Sequence, residues 1–329
     1  MKAWVSLLTT VLFTCSVNAE QSQVAIALHG GAGTIERSRM TDEQELTYRK
    51  FLDAAIEDGY SQLKAGKPGL DVVVNIIQRM EDSPLFNAGH GSVYTWEGHH
   101  ELDASIMHGR ELDAGAVAGV KTVKSPIALA RAVMERSPHV MLASEGAERF
   151  AAEQGFEQVP EGYFDTERRK KSLEAYKRAR QAGVMTNPDY KYGTVGVAVL
   201  DSEGNLVAGT STGGMTGKRW GRIGDAPVIG AGTYANNASC AVSATGHGEY
   251  FIRHTVAREI CARMELAGET LAEAANEVVH KTLVKAGGDG GIIAVDAEGN
   301  VALTFNTPGM YRASINASGD KVVGIFGDD

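Results

Sequence analysis

The bond Gly193-Thr194 carries more chemistry than any other pair in this sequence. A charged, turn-rich stretch, Asp189-Tyr190-Lys191-Tyr192, leads into it, and an apolar run, Val195 to Leu200, leaves it. If the chain is cut there, Thr194 becomes an N-terminal residue with a hydroxyl and a free amine on neighbouring carbons. A threonine so placed is a nucleophile that carries its own base. If the chain stays whole, Thr194 is an ordinary first residue of a β-strand, where threonine is common. A glycine before it suits the unusual backbone geometry that attack of the threonine hydroxyl on the Gly193 carbonyl demands.

Three further clusters are chemically suggestive, each with a plainer reading beside it. Gly209-Thr210-Ser211-Thr212-Gly213 has the form of a serine nucleophile elbow, His29-Gly30-Gly31-Ala32-Gly33 could serve as its oxyanion loop, and Asp225 and His247 follow in order. That elbow needs a helix directly after the serine, and Gly213-Gly214-Met215-Thr216-Gly217 is a poor helix start. Arg222 and Asp225 in Gly221-Arg222-Ile223-Gly224-Asp225 are either a surface ion pair or a clamp for a zwitterion, with the guanidinium on a carboxylate and the carboxylate on an ammonium. Thr245-Gly246-His247-Gly248-Glu249 is either a capped strand-to-helix turn or an oxyanion site built on free backbone N–H groups. The histidines and cysteines have no zinc-ligand spacing, and no phosphate-binding glycine loop is present.

The elements around these clusters follow from periodicity. Val24–Leu28 reads as a buried strand, Thr41–Ala65 as a capped helix, and Gly69–Met80 as a second helix. Ser92–Met107 and Ala114–Val123 read as strands. Helices follow near Pro126–Glu135, Ala143–Gln154 and Asp165–Ala182. After Thr194 one hairpin pattern occurs twice: two apolar strands around Asp201-Ser202-Glu203-Gly204-Asn205, then two around Asp296-Ala297-Glu298-Gly299-Asn300. Helices at about Gly248–Leu266 and Thr270–Ala286 separate the copies. Sheets alternating with helix pairs imply an α/β layered architecture, two sheets between two layers of helices.

The chain has 329 residues, 43% hydrophobic and 22% charged, the composition of a globular protein with a sizeable core. A net charge of −9 argues against nucleic acid as a partner. The basic run of Arg168, Arg169, Lys170, Lys171, Lys177, Arg178 and Arg180 reads as a solvated helix face. Residues 1–19 read as a secretory signal, with Lys2 at its start, an apolar middle and a Val17-Asn18-Ala19 cleavage site. Cys15 lacks the small preceding residue of a lipoprotein. The expectation is an exported, periplasmic protein with no membrane attachment after the leader is removed. Cys240 and Cys261 then remain; two cysteines do not make a disulfide scaffold, and Cys261, on an apolar helix face, reads as a buried thiol.

Taken in order, seven stretches resemble the plant-type asparaginases or isoaspartyl peptidases, within the N-terminal-nucleophile hydrolases. They are His29–Gly33, Pro84–Gly89, Glu101–Ala104, Gly193–Gly196, Gly209–Gly214, Gly221–Asp225 and Thr245–Glu249. The likeness runs from about residue 23 to the C-terminus. It implies an αββα sandwich, self-cleavage between Gly193 and Thr194 into an α chain (20–193) and a β chain (194–329), and assembly as (αβ)2. It also implies hydrolysis of β-aspartyl dipeptides and of asparagine through a threonine acyl-enzyme. By this resemblance Thr194 is the nucleophile, Thr212 orients its hydroxyl, and Thr245 and Gly246 form the oxyanion hole. Arg222 to Asp225, with Ile223 and Gly224 between, and Thr245 to Gly248 contact the substrate, and Asn87 lines the pocket. No catalytic cofactor is implied. A structural sodium ion is, bound by backbone carbonyls of Met80, Glu81, Ser83, Phe86, Ala88 and His90. His247 stands where the family carries Thr or His, which bears on leaving-group preference. The sister glycosylasparaginases, a serine hydrolase and an exported binding protein are the alternatives.

Overall fold

A computed structural model of the chain describes residues 23–183 and 193–329. The leader assigned to 1–19, with Cys15, and the last part of the connector, 184–192, lie outside the described residues. Twelve strands in the described residues make two sheets. One has eight strands in the order β12-β11-β1-β5-β6-β2-β3-β4, and the other has four in the order β10-β9-β8-β7. In the large sheet β1 is Ala25–Gly33, β2 Leu102–His108, β3 Asp113–Val120, β4 Met141–Ala143, β5 Val195–Leu200 and β6 Leu206–Thr212, with β11 at Gly309–Ile315 and β12 at Lys321–Phe326. In the small sheet β7 is Thr233–Ala235, β8 Cys240–Gly246, β9 Gly290–Asp296 and β10 Val301–Phe305.

The sheets lie face to face over a core of small and branched residues, among them Ala27, Ala198, Ala208, Val242, Ala244 and Ile293. Small residues on β1, β5 and β6 let the two backbones approach. Helices α1 (Asp42–Lys64), α2 (Gly69–Glu81) and α3 (Pro126–Arg136) cover the outer face of the large sheet. They bury Leu52, Ile56, Val73, Ile77 and Ile127 against Leu28, Val197, Val199 and Ile106. Helix α7 (Val256–Ala267) and helix α8 (Leu271–Asn276), which runs through a π-helical stretch at Glu277–Leu283, cover the small sheet. The result is the expected αββα order.

Local chemistry explains the elements that were legible. Thr41 caps α1 in a reciprocal capping box with Gln44, and Thr270 does the same for α8 with Glu273. In both hairpins the aspartate opening the turn accepts the N–H groups two and four residues on: Asp201 from Glu203 and Asn205, Asp296 from Glu298 and Asn300.

Several expectations need correction. The strand expected from Ser92 starts only at Leu102, because the residues before it close tight turns such as Thr95 N–H to His99 O at 2.7 Å. Not every apolar residue of α1 faces the core: Leu46 is 52% exposed. The helix expected over Gly248–Leu266 breaks into α6 (Gly248–Arg253) and α7, with Thr255 in the left-handed region at φ 45°. The basic face of α5 (Glu167–Gln181) is not wholly solvated. Arg169 is buried and donates to Gly91 O at 2.6 Å, and Arg168 donates to Leu85 O at 2.7 Å. Cys240 and Cys261 are not free thiols: they form a disulfide across 5.4 Å between Cα atoms. Cys261 is on the inner face of α7 as expected, and that face lies directly over the first residue of β8, within bridging range.

Candidate active site

The hairpin of β5 and β6 sets the centre of the site. Its register pairs Leu200 with Leu206 and Val195 with Ser211, so the residue before β5, Thr194, falls opposite the last residue of β6, Thr212. The hydroxyl of Thr194 donates to Thr212 Oγ1 at 3.0 Å, and the hydroxyl of Thr212 donates to Gly193 O at 3.0 Å. A line of two hydrogen bonds therefore runs from the nucleophile candidate to the carbonyl that precedes it. Asn87 Nδ2 donates to the same carbonyl at 2.7 Å and to Gly214 O at 2.8 Å. Asn87 is itself held by Val93 N–H on its Oδ1 at 2.9 Å. Two donors thus converge on Gly193 O and polarise that carbonyl.

The backbone around Thr194 is gripped from β1. His29 Nδ1 lies 3.0 Å from Thr194 O, and its Nε2 lies 3.0 Å from Ser243 Oγ. The carbonyl can only accept, so Nδ1 carries the proton and Ser243 donates to Nε2. Burial lowers the His29 pKa to about 3, which keeps the ring neutral, as this arrangement needs. Gly31, at φ +111°, comes so close that a Cβ there would stand 2.9 Å from Gly193 Cα.

The cavity in front of Thr194 is lined by Gly193, Thr194, Thr212, Gly214, Met215, Arg222, Gly224, Asp225 and Gly246. It holds about 10 Å3 of water-accessible space in the uncut chain. Asp225 is buried, and its Oδ2 has no hydrogen-bond partner among the described residues. Burial raises its pKa to about 7. A carboxylate taken out of water without a partner favours the proton unless a cation arrives. Arg222 offers Nε and Nη2 to the two oxygens of Glu249, each at 2.9 Å. The hydrogen bond with His247, and then those with Arg222, hold the Glu249 carboxyl well below the usual range. Glu249 takes the Nε and Nη2 side of the guanidinium, and Arg222 is one of the residues lining the cavity. Gly248 packs under the pair: a Cβ there would meet Asp225 Oδ1 at 2.8 Å and Arg222 Nη2 at 2.9 Å.

The other expected residues divide. Gly246 is in the cavity wall, while the hydroxyl of Thr245, fully buried, accepts from Ala32 N–H at 3.3 Å. His247 pairs with Glu249 at 3.2 Å, and Ile223 is 44% exposed; neither is among the cavity-lining residues. In the turn after α2, Glu81 O accepts His90 N–H at 2.6 Å and Met80 O accepts Ser83 N–H at 3.2 Å. The carbonyls of Ser83, Phe86, Ala88 and His90 accept no backbone N–H among the described residues. The serine-elbow arrangement is not assembled. Ser211, fully buried, donates to Glu81 Oε1 at 2.6 Å, and β6 continues through it as a strand.

Sequence reasoning did not single out His29 as the anchor of the Thr194 carbonyl, nor Glu249 as the partner of Arg222. The first stood in a motif whose glycines drew the attention, and the second closed a motif read for its N–H groups. Glu81 was named only for its backbone. Its carboxyl accepts from Ser125, Ser211 and Ile127 N–H, and burial raises its pKa to about 7.

Comparison with known proteins gives the chain a family. The family profile described as asparaginase matches residues 22–325. An isoaspartyl peptidase of Salmonella typhimurium is 51% identical over 310 residues, covering 93% of this chain and 99% of that protein. An isoaspartyl peptidase of Escherichia coli is 50% identical over 309 residues, covering 92% and 96%. An isoaspartyl peptidase/L-asparaginase of Rattus norvegicus is 41% identical over 302 residues, covering 92% and 89%. With a profile spanning nearly all of the described residues and relatives of half-identical sequence at full length, this chain belongs to the asparaginase family.

Proposed function

We propose that this protein hydrolyses β-aspartyl dipeptides and L-asparagine through Thr194, after cutting itself between Gly193 and Thr194. One observation carries the reading: the hydroxyl of Thr194 is linked through Thr212 to the Gly193 carbonyl, in a cavity that also holds Arg222 and Asp225, whose Oδ2 has no hydrogen-bond partner among the described residues. The uncut cavity has room for about one water molecule, and Gly193 forms part of its wall. It accommodates a scissile peptide bond rather than a substrate, so cutting must precede turnover.

In the first reaction Thr194 Oγ1 attacks the Gly193 carbonyl carbon. The developing oxyanion is held by Asn87 Nδ2 and Thr212 Oγ1. The carbon–nitrogen bond breaks, and the proton lost by the hydroxyl ends on the Thr194 amine. Water hydrolyses the resulting ester, leaving a Gly193 carboxylate and a free N-terminal threonine. In turnover the α-amine of Thr194, with a pKa of about 8 in a free chain, takes the proton as Oγ1 attacks the side-chain carbonyl of the aspartyl unit. The oxyanion is assigned to the Gly246 N–H, in the cavity wall, and to the Thr245 hydroxyl, which accepts from Ala32 N–H and keeps its own proton to donate. The amine or ammonia leaves with a proton, and water then releases aspartate from the β-aspartyl ester. Arg222 holds the α-carboxylate, and Asp225 holds the α-ammonium. Ordinary peptide bonds present no such free end, which accounts for selectivity toward β-linked substrates.

Secretion belongs to the same proposal. A disulfide between Cys240 and Cys261 is the usual mark of an oxidising compartment, and the leader-like residues 1–19 agree with it. No helix in the described residues is long and apolar enough to cross a membrane. A sodium ion bound by the turn 80–90 would take hard carbonyl oxygens, which the turn supplies, and would stiffen the segment that presents Asn87. Assembly as (αβ)2 rests on the family resemblance. A denaturing gel with N-terminal sequencing tests the central claim. Two fragments of about 18 and 14 kDa, the smaller beginning at Thr194, are expected with aspartate release from β-aspartyl dipeptides. A single uncut chain with no such activity after long incubation refutes it.

A further inference from the structure

Beside the catalytic cavity lies a second, larger one of about 410 Å3. Met215 and Arg222 are walls of both, so the two cavities adjoin at these side chains. Its wall also includes Tyr176, Arg180, Arg219, Trp220 and Glu249, with residues 216–218. Trp220 is 93% exposed and sits in the left-handed region at φ 58°. A bulky side chain in that conformation costs on the order of 1 kcal/mol, and an exposed indole gains nothing from burial in return. Arg219 stacks on Trp96, its guanidinium carbon 3.6 Å from the ring centroid, and lies 5.9 Å from the ring of Trp220. Its guanidinium has no carboxylate partner among the described residues. The wall therefore offers an open aromatic face and a flat, immobilised cation within one residue of each other.

A β-aspartyl dipeptide has a matching second half. Once the aspartyl unit is on Arg222 and Asp225, the leaving residue extends from the scissile amide with its own side chain and its own α-carboxylate. A residue spans about 3.5 Å along the chain, enough to carry those groups past Met215. Asparagine has no counterpart, because its leaving group is ammonia.

We propose that this second cavity is the leaving-residue subsite. It takes an amino acid with an aromatic or large aliphatic side chain against Trp220 and Met215, its α-carboxylate paired with Arg219. The inference rests on the isoaspartyl-peptidase reading above and adds to it the class of dipeptide preferred. A forked guanidinium–carboxylate contact and an aromatic stack are both geometrically selective, so each can be removed separately.

The test uses the processed protein and four substrates: β-aspartyl-phenylalanine, its C-terminal amide, β-aspartyl-glycine and L-asparagine. In the wild type kcat/KM falls in the order phenylalanine acid, phenylalanine amide, glycine. Trp220→Ala lowers kcat/KM for the phenylalanine acid about two- to tenfold and leaves asparagine unchanged. Arg219→Gln brings the acid down to the level of the amide, leaving the amide itself unchanged. Equal losses on all four substrates, or no loss on the phenylalanine dipeptide, overturn the subsite while the peptidase reading stands. A change in sedimentation of Trp220→Ala also overturns it, by placing Trp220 in an interface between copies. Absence of hydrolysis of all four by the wild type overturns the peptidase reading and the subsite with it.

Discussion

Replacing Thr212 by valine removes one hydroxyl and keeps the shape of the side chain, which makes it the sharpest probe of the proposed self-cleavage. Three hydrogen bonds end on that hydroxyl, each at 3.0 Å: the one from Thr194, the one to Gly193 O, and the one from Gly214 N–H. Losing the donor to Gly193 O leaves Asn87 alone to stabilise the oxyanion. Removal of one such donor from a preorganised site slows acyl transfer by about 100- to 1,000-fold. The orphaned Gly214 N–H is a separate, structural cost of about 1–3 kcal/mol. The two effects are separable. Processing is followed on denaturing gels over time, and thermal unfolding is measured on the uncut chain. Thr212→Ser, which keeps the hydroxyl, is expected to process within about tenfold of the wild type, whereas Thr212→Val accumulates as one band while remaining folded. Wild-type processing by Thr212→Val would refute the relay from Thr194 through Thr212 to the carbonyl. Failure of both variants would show that the hydroxyl alone does not suffice and that the methyl group is needed as well.

Three other outcomes follow from the same geometry. Asp225, with its pKa raised to about 7 by burial, must ionise to hold an ammonium group. The affinity of the processed protein for L-aspartate should therefore weaken about tenfold per pH unit below that value, measured by calorimetry, and Asp225→Asn should lose this dependence. The linked stability has the opposite sign: a folded pKa above the unfolded one gives stability that is full below about pH 4 and lost as pH rises through 7, unless a ligand cation is present. Glu249→Gln removes the negative partner of Arg222 and should raise KM about three- to tenfold with a smaller effect on kcat. Reduction of the bridge between Cys240 and Cys261, which are 21 residues apart, should lower stability to urea by about 3 kcal/mol, and an unchanged midpoint would show that the pair contributes nothing.

The parts of this fold legible in the sequence are those set by contacts a few residues apart. Thr41 and Thr270 cap helices with partners three residues on, and Asp201 and Asp296 close their turns with N–H groups two and four residues on. The hairpin turn has a wider consequence, because in an antiparallel pair its length fixes which residues face each other. Counting back from Leu200 opposite Leu206 brings Thr194 opposite Thr212. What escaped a linear reading depends on segments far apart in the chain. Strand β11, running from Gly309, was not anticipated, since its partner is β1. The residues after Ser92 resemble a strand in composition but are held in turns by Asn87, Lys218 and His99. The helix over Gly248–Leu266 has no proline or glycine at its break; Thr255 is bent there by packing rather than by propensity. The disulfide was invisible because its two cysteines come together only when α7 lies across β8.

The candidate site divides along the same line. The types of its principal groups — a threonine after a glycine, an arginine and an aspartate three residues apart, a glycine-rich strand end — are written in the sequence, because each is local. Their convergence is tertiary. Thr194 and Thr212 come from the large sheet and Gly246 from the small one, and Asn87 reaches Gly193 from the turn after α2. Burial, which no local pattern reports, decides the protonation of His29, Glu81 and Asp225. The sequence by itself determined which bond is worth cutting. The tertiary structure decided what surrounds it, because hydrogen bonds of 2.7 to 3.0 Å to one carbonyl require three separate segments, those of Gly193, Asn87 and Thr212, to be held in place at once.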